Sequence, residues 1–250
     1  MDEILPRSVC AMRRSFAVRC GDRAVRDAPP HKLEEEENGA AMQITPHDVL
    51  IVVDMQNDFC PGGALAVRGG DQVIPLIHKI APRFGHIILT QDWHPAGHHS
   101  FAGAHPGKQP FAQVQLGYGE QTLWPEHCVQ GTRGAGFHPD LRLPQAELIL
   151  RKGFRREIDS YSAFFENDRT TPIGLAGYLR ERNLTRVFLA GLAYDYCVAY
   201  SALDARRLGI PAVVVRDACR AIDLNGSVAT IEKQFAESGV LLIESSAILV

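Results

Sequence analysis

Val49 to Val53 reads Val-Leu-Ile-Val-Val, wholly apolar and mostly β-branched, and it stops abruptly at Asp54. Such a run is too short for a buried helix and carries no polar alternation. It suits a strand covered on both faces, which a parallel sheet flanked by helices provides. Similar runs recur at His86 to Leu89, Glu147 to Leu150, Arg186 to Ala190, Pro211 to Val215 and Val240 to Ile243. Helical patterns lie between several of them, at Gly70 to Phe84, Thr171 to Arg182, Tyr196 to Leu208 and Gly226 to Glu237. This alternation predicts a doubly wound, Rossmann-like α/β fold, a three-layer α/β/α sandwich with a mostly parallel sheet.

In open parallel sheets, ligands bind beyond the carboxyl ends of the strands. Asp54 follows the first run, Asp92 the second and Lys152 the third, and Cys197 lies just past the run ending at Ala190. Four reactive side chains are therefore expected along one sheet edge. The Gly/Pro/His-rich stretch from Gly97 to His138 shows no strand–helix alternation, and a loop region of that length is usually functional. Residues 1–42 differ from the rest, with the Pro29-Pro30 pair, the acidic run Glu34 to Glu37 and no sustained periodicity. They read as a disordered extension ahead of one domain over 43–250, and Met42 leaves a downstream start open.

The charge balance, a formal −3, gives no case for binding nucleic acid or an acidic membrane. No apolar stretch is long enough to span a bilayer, so a small-molecule partner is expected; a homo-oligomer stays open. Cys10, Cys20, Cys60, Cys128, Cys197 and Cys219 are scattered with no CxxC pair, which favours free thiols. The amino terminus has no apolar h-region, and a cytoplasmic location is expected.

Asp92 and His94 stand two apart at a strand end, so in extended chain they face the same side and could share an ion. His127, within Trp124-Pro125-Glu126-His127-Cys128, would join from the loop. A mixed Asp/His set suits zinc, with iron and manganese as alternatives, better than calcium or magnesium. Taken singly, each histidine is as readily a loop residue; His99, His105 and His138 read as bystanders.

Gly191 to Val198 (Gly-Leu-Ala-Tyr-Asp-Tyr-Cys-Val) joins a buried strand to a helix and places Cys197 in the first helical turn. There the dipole and free N–H groups favour a thiolate and can stabilise an oxyanion. Asp54 could serve as the base toward the thiol and Lys152 could offset the pair's negative charge. A junction cysteine is also commonly a small buried apolar residue, and a strand-end Asp is commonly a cap. From the residues alone the reading ends at an α/β hydrolytic enzyme with a metal and a thiol.

Five segments carry a resemblance. They are Asp54 to Gly63, Gln91 to Pro95, Trp124 to Val129, Lys152-Gly153, and Gly191 to Val198, in order and spanning about Val49 to Gly239. Together they resemble the nicotinamidase branch of the isochorismatase-like cysteine hydrolases. The resemblance implies a catalytic triad of Asp54, Lys152 and Cys197. It also implies metal ligands Asp92, His94 and His127, with His98 at the place of an additional, less constant ligand. A non-proline cis peptide is implied at Leu192-Ala193, aiming the N–H groups of Ala193 and Cys197 at a substrate carbonyl. Phe59 and Trp124 match aromatic walls around a pyridine ring, and Tyr161 is expected to line the same pocket. The implied reaction is hydrolysis of nicotinamide to nicotinate and ammonia, as in NAD salvage, with pyrazinamide as a second substrate. The alternatives are another amidase or ureidohydrolase of the superfamily, a metal-hydroxide hydrolase needing no thiol, or a non-catalytic binding protein. Tyr194 departs from the small Thr expected at its position, and would either narrow the pocket or face the interior.

Overall fold

The computed structural model describes residues 41–249. Along the chain come β1 (Asp48–Val53), α1 (Ile74–Ile80), β2 (His86–Asp92), β3 (Gln113–Leu116), β4 (Gly119–Thr122) and β5 (Leu148–Lys152). They are followed by α2 (Leu175–Glu181), β6 (Arg186–Leu192), α3 (Ala199–Arg207), β7 (Ala212–Arg220), α4 (Ser227–Ser238) and β8 (Leu241–Ile243). Among the described residues, six strands make one sheet in the order β5-β2-β1-β6-β7-β8, with every neighbouring pair parallel.

β1 sits inside the sheet and all six of its residues are buried. Its side chains divide by parity. Leu50 and Val52 join a core with Ile74, Ile77 and Ile80 of α1. Val49, Ile51 and Val53 join a second core with Leu175 and Leu179 of α2, Ala199, Ala202 and Ala205 of α3, and Ile231 and Phe235 of α4. The period of two along a strand thus produces the three layers.

From β1 the chain winds outward through β2 to β5, then returns to start again at β6 on the other side of β1. The winding reverses between β1 and β6, and at such a reversal the carboxyl ends of the strands open a crevice. Asp54 and Ala193 leave the two strands at that point.

Several boundaries differ from the sequence reading, for local reasons. α2 starts at Leu175 rather than near Thr171, because Pro172 precedes it and Gly174 takes φ +114°. The helix expected over Gly70 to Phe84 is broken into a 3-10 turn, α1, and a second 3-10 turn that carries Pro82. β5 is an edge strand, so its Ile149 is 53% exposed, although it sits in the apolar run Leu148 to Leu150. The Gly97 to His138 stretch contains the hairpin β3–β4, whose Gln-rich strands alternate too weakly to stand out.

Of the segment read as an extension, residues 1–40 lie outside the described residues. Met42 does not behave as part of one, since its N–H donates to Ala247 O at 2.8 Å and it packs on the first core. No helix among the described residues is long and apolar enough to cross a membrane.

Candidate active site

Lys152 closes β5 and is wholly buried. A buried ammonium survives only with compensating charge, and the β2–β5 register places Asp92 directly opposite it. Its Nζ lies 2.8 Å from Asp54 Oδ2, in contact with Asp92 Oδ1, 3.2 Å from Cys197 Sγ and 3.1 Å from Ser160 O. Burial disfavours charge on Lys152, but the two carboxylates and the thiol outweigh it and hold its pKa well above the ordinary lysine value.

Asp54 follows β1 at φ +46°, is fully buried, and is steadied by Thr90. The Thr90 hydroxyl donates to Asp54 Oδ1 at 2.6 Å and accepts the Asp54 N–H at 3.2 Å. Oδ2 faces the lysine but takes no well-aligned hydrogen bond, which leaves it able to accept a proton. Burial raises the Asp54 carboxyl above the ordinary value, against the pull of Lys152. Reactive atoms of Asp54, Asp92 and Cys197 all lie within 4.8 Å of one another.

The four described cysteines are free and buried, and burial raises each thiol; Cys60 is pushed up to about 11 and Cys219 to about 12. What distinguishes Cys197 is the ammonium at 3.2 Å and the carboxylate beside it. Burial holds the Cys197 thiol well above the ordinary value, and Lys152 only moderates that. A five-residue π turn, Tyr194–Val198, rather than the first turn of α3, carries the cysteine. The Leu192-Ala193 peptide before this turn is cis, and the N–H groups of Tyr196 and Val198 both close on Ala193 O at 3.1 Å.

The second oxygen of Asp92 points the other way. Oδ2 lies 3.5 Å from His94 Nε2 and 3.8 Å from His127 Nε2. His94 Nδ1 is 2.8 Å from Gly153 O and His127 Nδ1 is 2.8 Å from Pro125 O. Carbonyls accept only, so both Nδ1 atoms carry a proton, and both Nε2 atoms face Asp92. Rings locked in this way are what a transition-metal site requires. Asp92, His94 and His127 form a buried group that fits a divalent ion. Burial raises the Asp92 carboxyl, but Lys152 and the histidines prevail and hold it well below the usual carboxylate range.

His98 stands apart from this trio. Its ring lies 4.5 Å from that of His94. Its nitrogens are spent, with Nδ1 accepting the Ser100 N–H at 3.1 Å and Nε2 donating to Arg155 O at 2.8 Å. The structure groups it with His94 and Asp159 instead. Phe59 lies beside His127, ring centroids 5.4 Å apart. Trp124 Nε1 donates to Tyr161 Oη at 3.0 Å, and both rings stack edge-on against Tyr196.

Residues 48–245 match the isochorismatase domain. The chain belongs to the isochorismatase family. It is 57% identical to a nicotinamidase of Acinetobacter baylyi over 201 residues, covering 80% of this chain and 94% of that one. Among solved structures it is similar to a nicotinamidase/pyrazinamidase of Acinetobacter baumanii, with 53% identity, a TM-score of 0.81, and coverage of 82% of this chain and 99% of that chain. A pyrazinamidase of Pyrococcus horikoshii in complex with zinc is 35% identical with a TM-score of 0.64, covering 80% of this chain and 99% of that chain.

In this isochorismatase-family site, Tyr194 faces the interior. It is buried against α4, with its ring 5.9 Å from Phe235 and its hydroxyl 3.4 Å from Glu232 Oε1. Sequence reasoning passed over Thr90 and, although Lys152-Gly153 stood out as a segment, gave Gly153 no role of its own. Thr90 stands two residues before Asp92 on the same strand, hence on the same face, and that spacing was its signal. Gly153 takes φ +65°, and a Cβ there would lie 2.4 Å from His94 Cε1. The Lys-Gly pair thus seats an ammonium with one residue and packs against the His94 imidazole with the next.

Proposed function

We propose that this chain is a nicotinamidase, hydrolysing nicotinamide to nicotinate and ammonia through a thioester on Cys197. The observation that carries this reading is the single carboxylate of Asp92. One of its oxygens contacts the lysine of the thiol cluster, and the other faces the two imidazoles. Nucleophile and metal cradle are one connected site. The similarity to nicotinamidases over most of both chains supports the same substrate.

Asp92, His94 and His127 would hold one divalent ion, zinc first among the candidates for an Asp/His set, and such an ion supplies Lewis-acid polarisation and a fixed anchor for a ring nitrogen or water. Phe59 on the His127 side and Trp124 with Tyr161 on the other would flank the flat ring. In the first half-reaction Asp54 takes the thiol proton while Lys152 stabilises the charge left on sulfur. Sulfur bonds to the carboxamide carbon, and the N–H groups of Ala193 and Cys197 receive the developing oxyanion. The C–N bond then breaks, and the nitrogen leaves as ammonia with the proton from Asp54. In the second half a water gives a proton to Asp54 and its oxygen to the acyl carbon, releasing nicotinate and returning the thiol.

Ammonia release from nicotinamide by the purified protein tests this directly. Turnover lost in Cys197→Ala, after thiol alkylation and after chelation is the expected pattern. Turnover that survives alkylation points to metal-hydroxide hydrolysis, and a folded, zinc-loaded protein with no turnover defeats the substrate assignment.

A further inference from the structure

We infer that Gln56 is a positioning residue for the metal ligand Asp92, holding its backbone in place of the sheet ladder. The inference rests on the metal-cradle reading of Asp92, His94 and His127. β1 ends at Val53, and its register with β2 stops at Val52 opposite Leu89. Three residues further, at Asp92, β2 has a strand partner only on the β5 side, where Asp92 sits opposite Lys152 and the Trp93 N–H reaches Lys152 O at 2.9 Å. The N–H and C=O of Asp92 itself face the side that β1 no longer covers.

The Gln56 side chain fills that gap. Its Oε1 accepts the Asp92 N–H at 2.8 Å, and its Nε2 donates to Asp92 O at 2.8 Å. One primary amide thereby supplies the acceptor and the donor that a continued strand would have offered. The second Nε2 hydrogen goes to Ala135 O at 2.9 Å, so Gln56 has no donor to spare and no exposure to water. The Gln56 N–H reaches back to Asp54 O at 2.7 Å. A residue two positions after the proposed base therefore fixes the backbone of the metal ligand, and both registers are set by one turn of chain.

Gln91 provides the control. Its Nε2 donates to the same Ala135 carbonyl at 2.9 Å, but no bond joins its side chain to Asp92. Packing of the segment around Ala135 depends on both glutamines; the Asp92 backbone depends on Gln56.

The test is zinc competition against a chromogenic chelator with the full chain, for wild type, Gln56→Met and Gln91→Met, with circular dichroism to verify folding. Outer partners of metal ligands typically alter metal affinity by about 10- to 100-fold, so Gln56→Met is expected to bind zinc that much more weakly, with Gln91→Met within about twofold of wild type. If Gln56→Met does not fold, Gln56→Glu keeps the length and the acceptor while losing the donor, and is read by the same criterion. Zinc affinity unchanged in a folded Gln56 variant, or equal losses in the Gln56 and Gln91 variants, overturns the inference. Nicotinamide turnover by wild type, run alongside, isolates the functional reading: its absence defeats the substrate assignment and leaves the zinc comparison standing.

Discussion

Asp54 and Asp92 are carboxylates from adjacent strands that touch the same lysine, yet burial and partners push them apart. Asp92 has the ammonium on one oxygen and two imidazoles near the other, and stays ionised well below the ordinary range. Asp54 has a hydroxyl and the shared ammonium inside a fully buried pocket, and burial prevails, raising it. Paired carboxylates separated in this way mark which one moves a proton. As the proposed base, Asp54 must be ionised to take the proton of Cys197, so kcat/KM is expected to fall as pH drops through its raised pKa. The acid limb should therefore lie above the ordinary carboxylate range. Asp54→Asn should lower kcat by about 10²- to 10⁴-fold, as loss of a general base does, and should abolish that limb in a pH–rate profile. A second prediction concerns His94. The Cβ in Gly153→Ala has nowhere to go but the imidazole, 2.4 Å away. That variant should fold and bind zinc more weakly, measured by chelator competition, with ring displacement visible as a changed Co(II) spectrum.

At the scale of elements, the join of β6 to α3 shows where sequence reading reached and where it stopped. The strands were legible because runs such as Val49 to Val53 admit few other structures, and the strand ends located Asp54, Asp92 and Lys152 on one edge. Hydrophobic patterning does not reveal a π turn, so Cys197 read as a first-turn helical residue. Nor does it tell whether a tyrosine beside the nucleophile faces substrate or α4; that depends on how α4 packs. Gln56 stood in plain view within a quoted motif, but its partners lie 36 and 79 positions along the chain, beyond any local pattern. The orientation of Tyr194 yields a prediction at this scale. Its ring packs on Phe235 across the α3–α4 layer, and Tyr194→Phe should keep kcat/KM for nicotinamide within about twofold, since the hydroxyl makes only a 3.4 Å contact with Glu232. Tyr194→Ala should cost about 3 kcal/mol of stability by leaving a cavity between layers. Denaturant unfolding reads that loss, and a collapse of kcat/KM in the Phe variant would place the ring in the pocket after all.

For the whole molecule, the proposed metal cradle stands at the rim of a sheet that does not depend on it. The two cores are apolar and lie on opposite faces of the sheet, and the ligand atoms already have protein partners: Asp92 has Lys152, and each imidazole Nδ1 has a carbonyl. Removing the ion should therefore inactivate without unfolding, and returning zinc should restore turnover. Binding to the native state alone stabilises by about 2.7 kcal/mol at a hundredfold excess over Kd. At about 2–4 °C per kcal/mol for a domain of this size, zinc should raise Tm by roughly 5–10 °C. The pH dependence of this effect has a definite sign. Burial works against charge on His94, but Asp92 3.5 Å away outweighs it and raises its pKa above the ordinary value. Zinc must displace that proton, so affinity should weaken as pH falls through the raised value, at a higher pH than an isolated imidazole would require. Thermal melts with and without zinc across this range check the account. A zinc-induced shift that stays constant down to mildly acidic pH would mean that His94 does not ligate the ion.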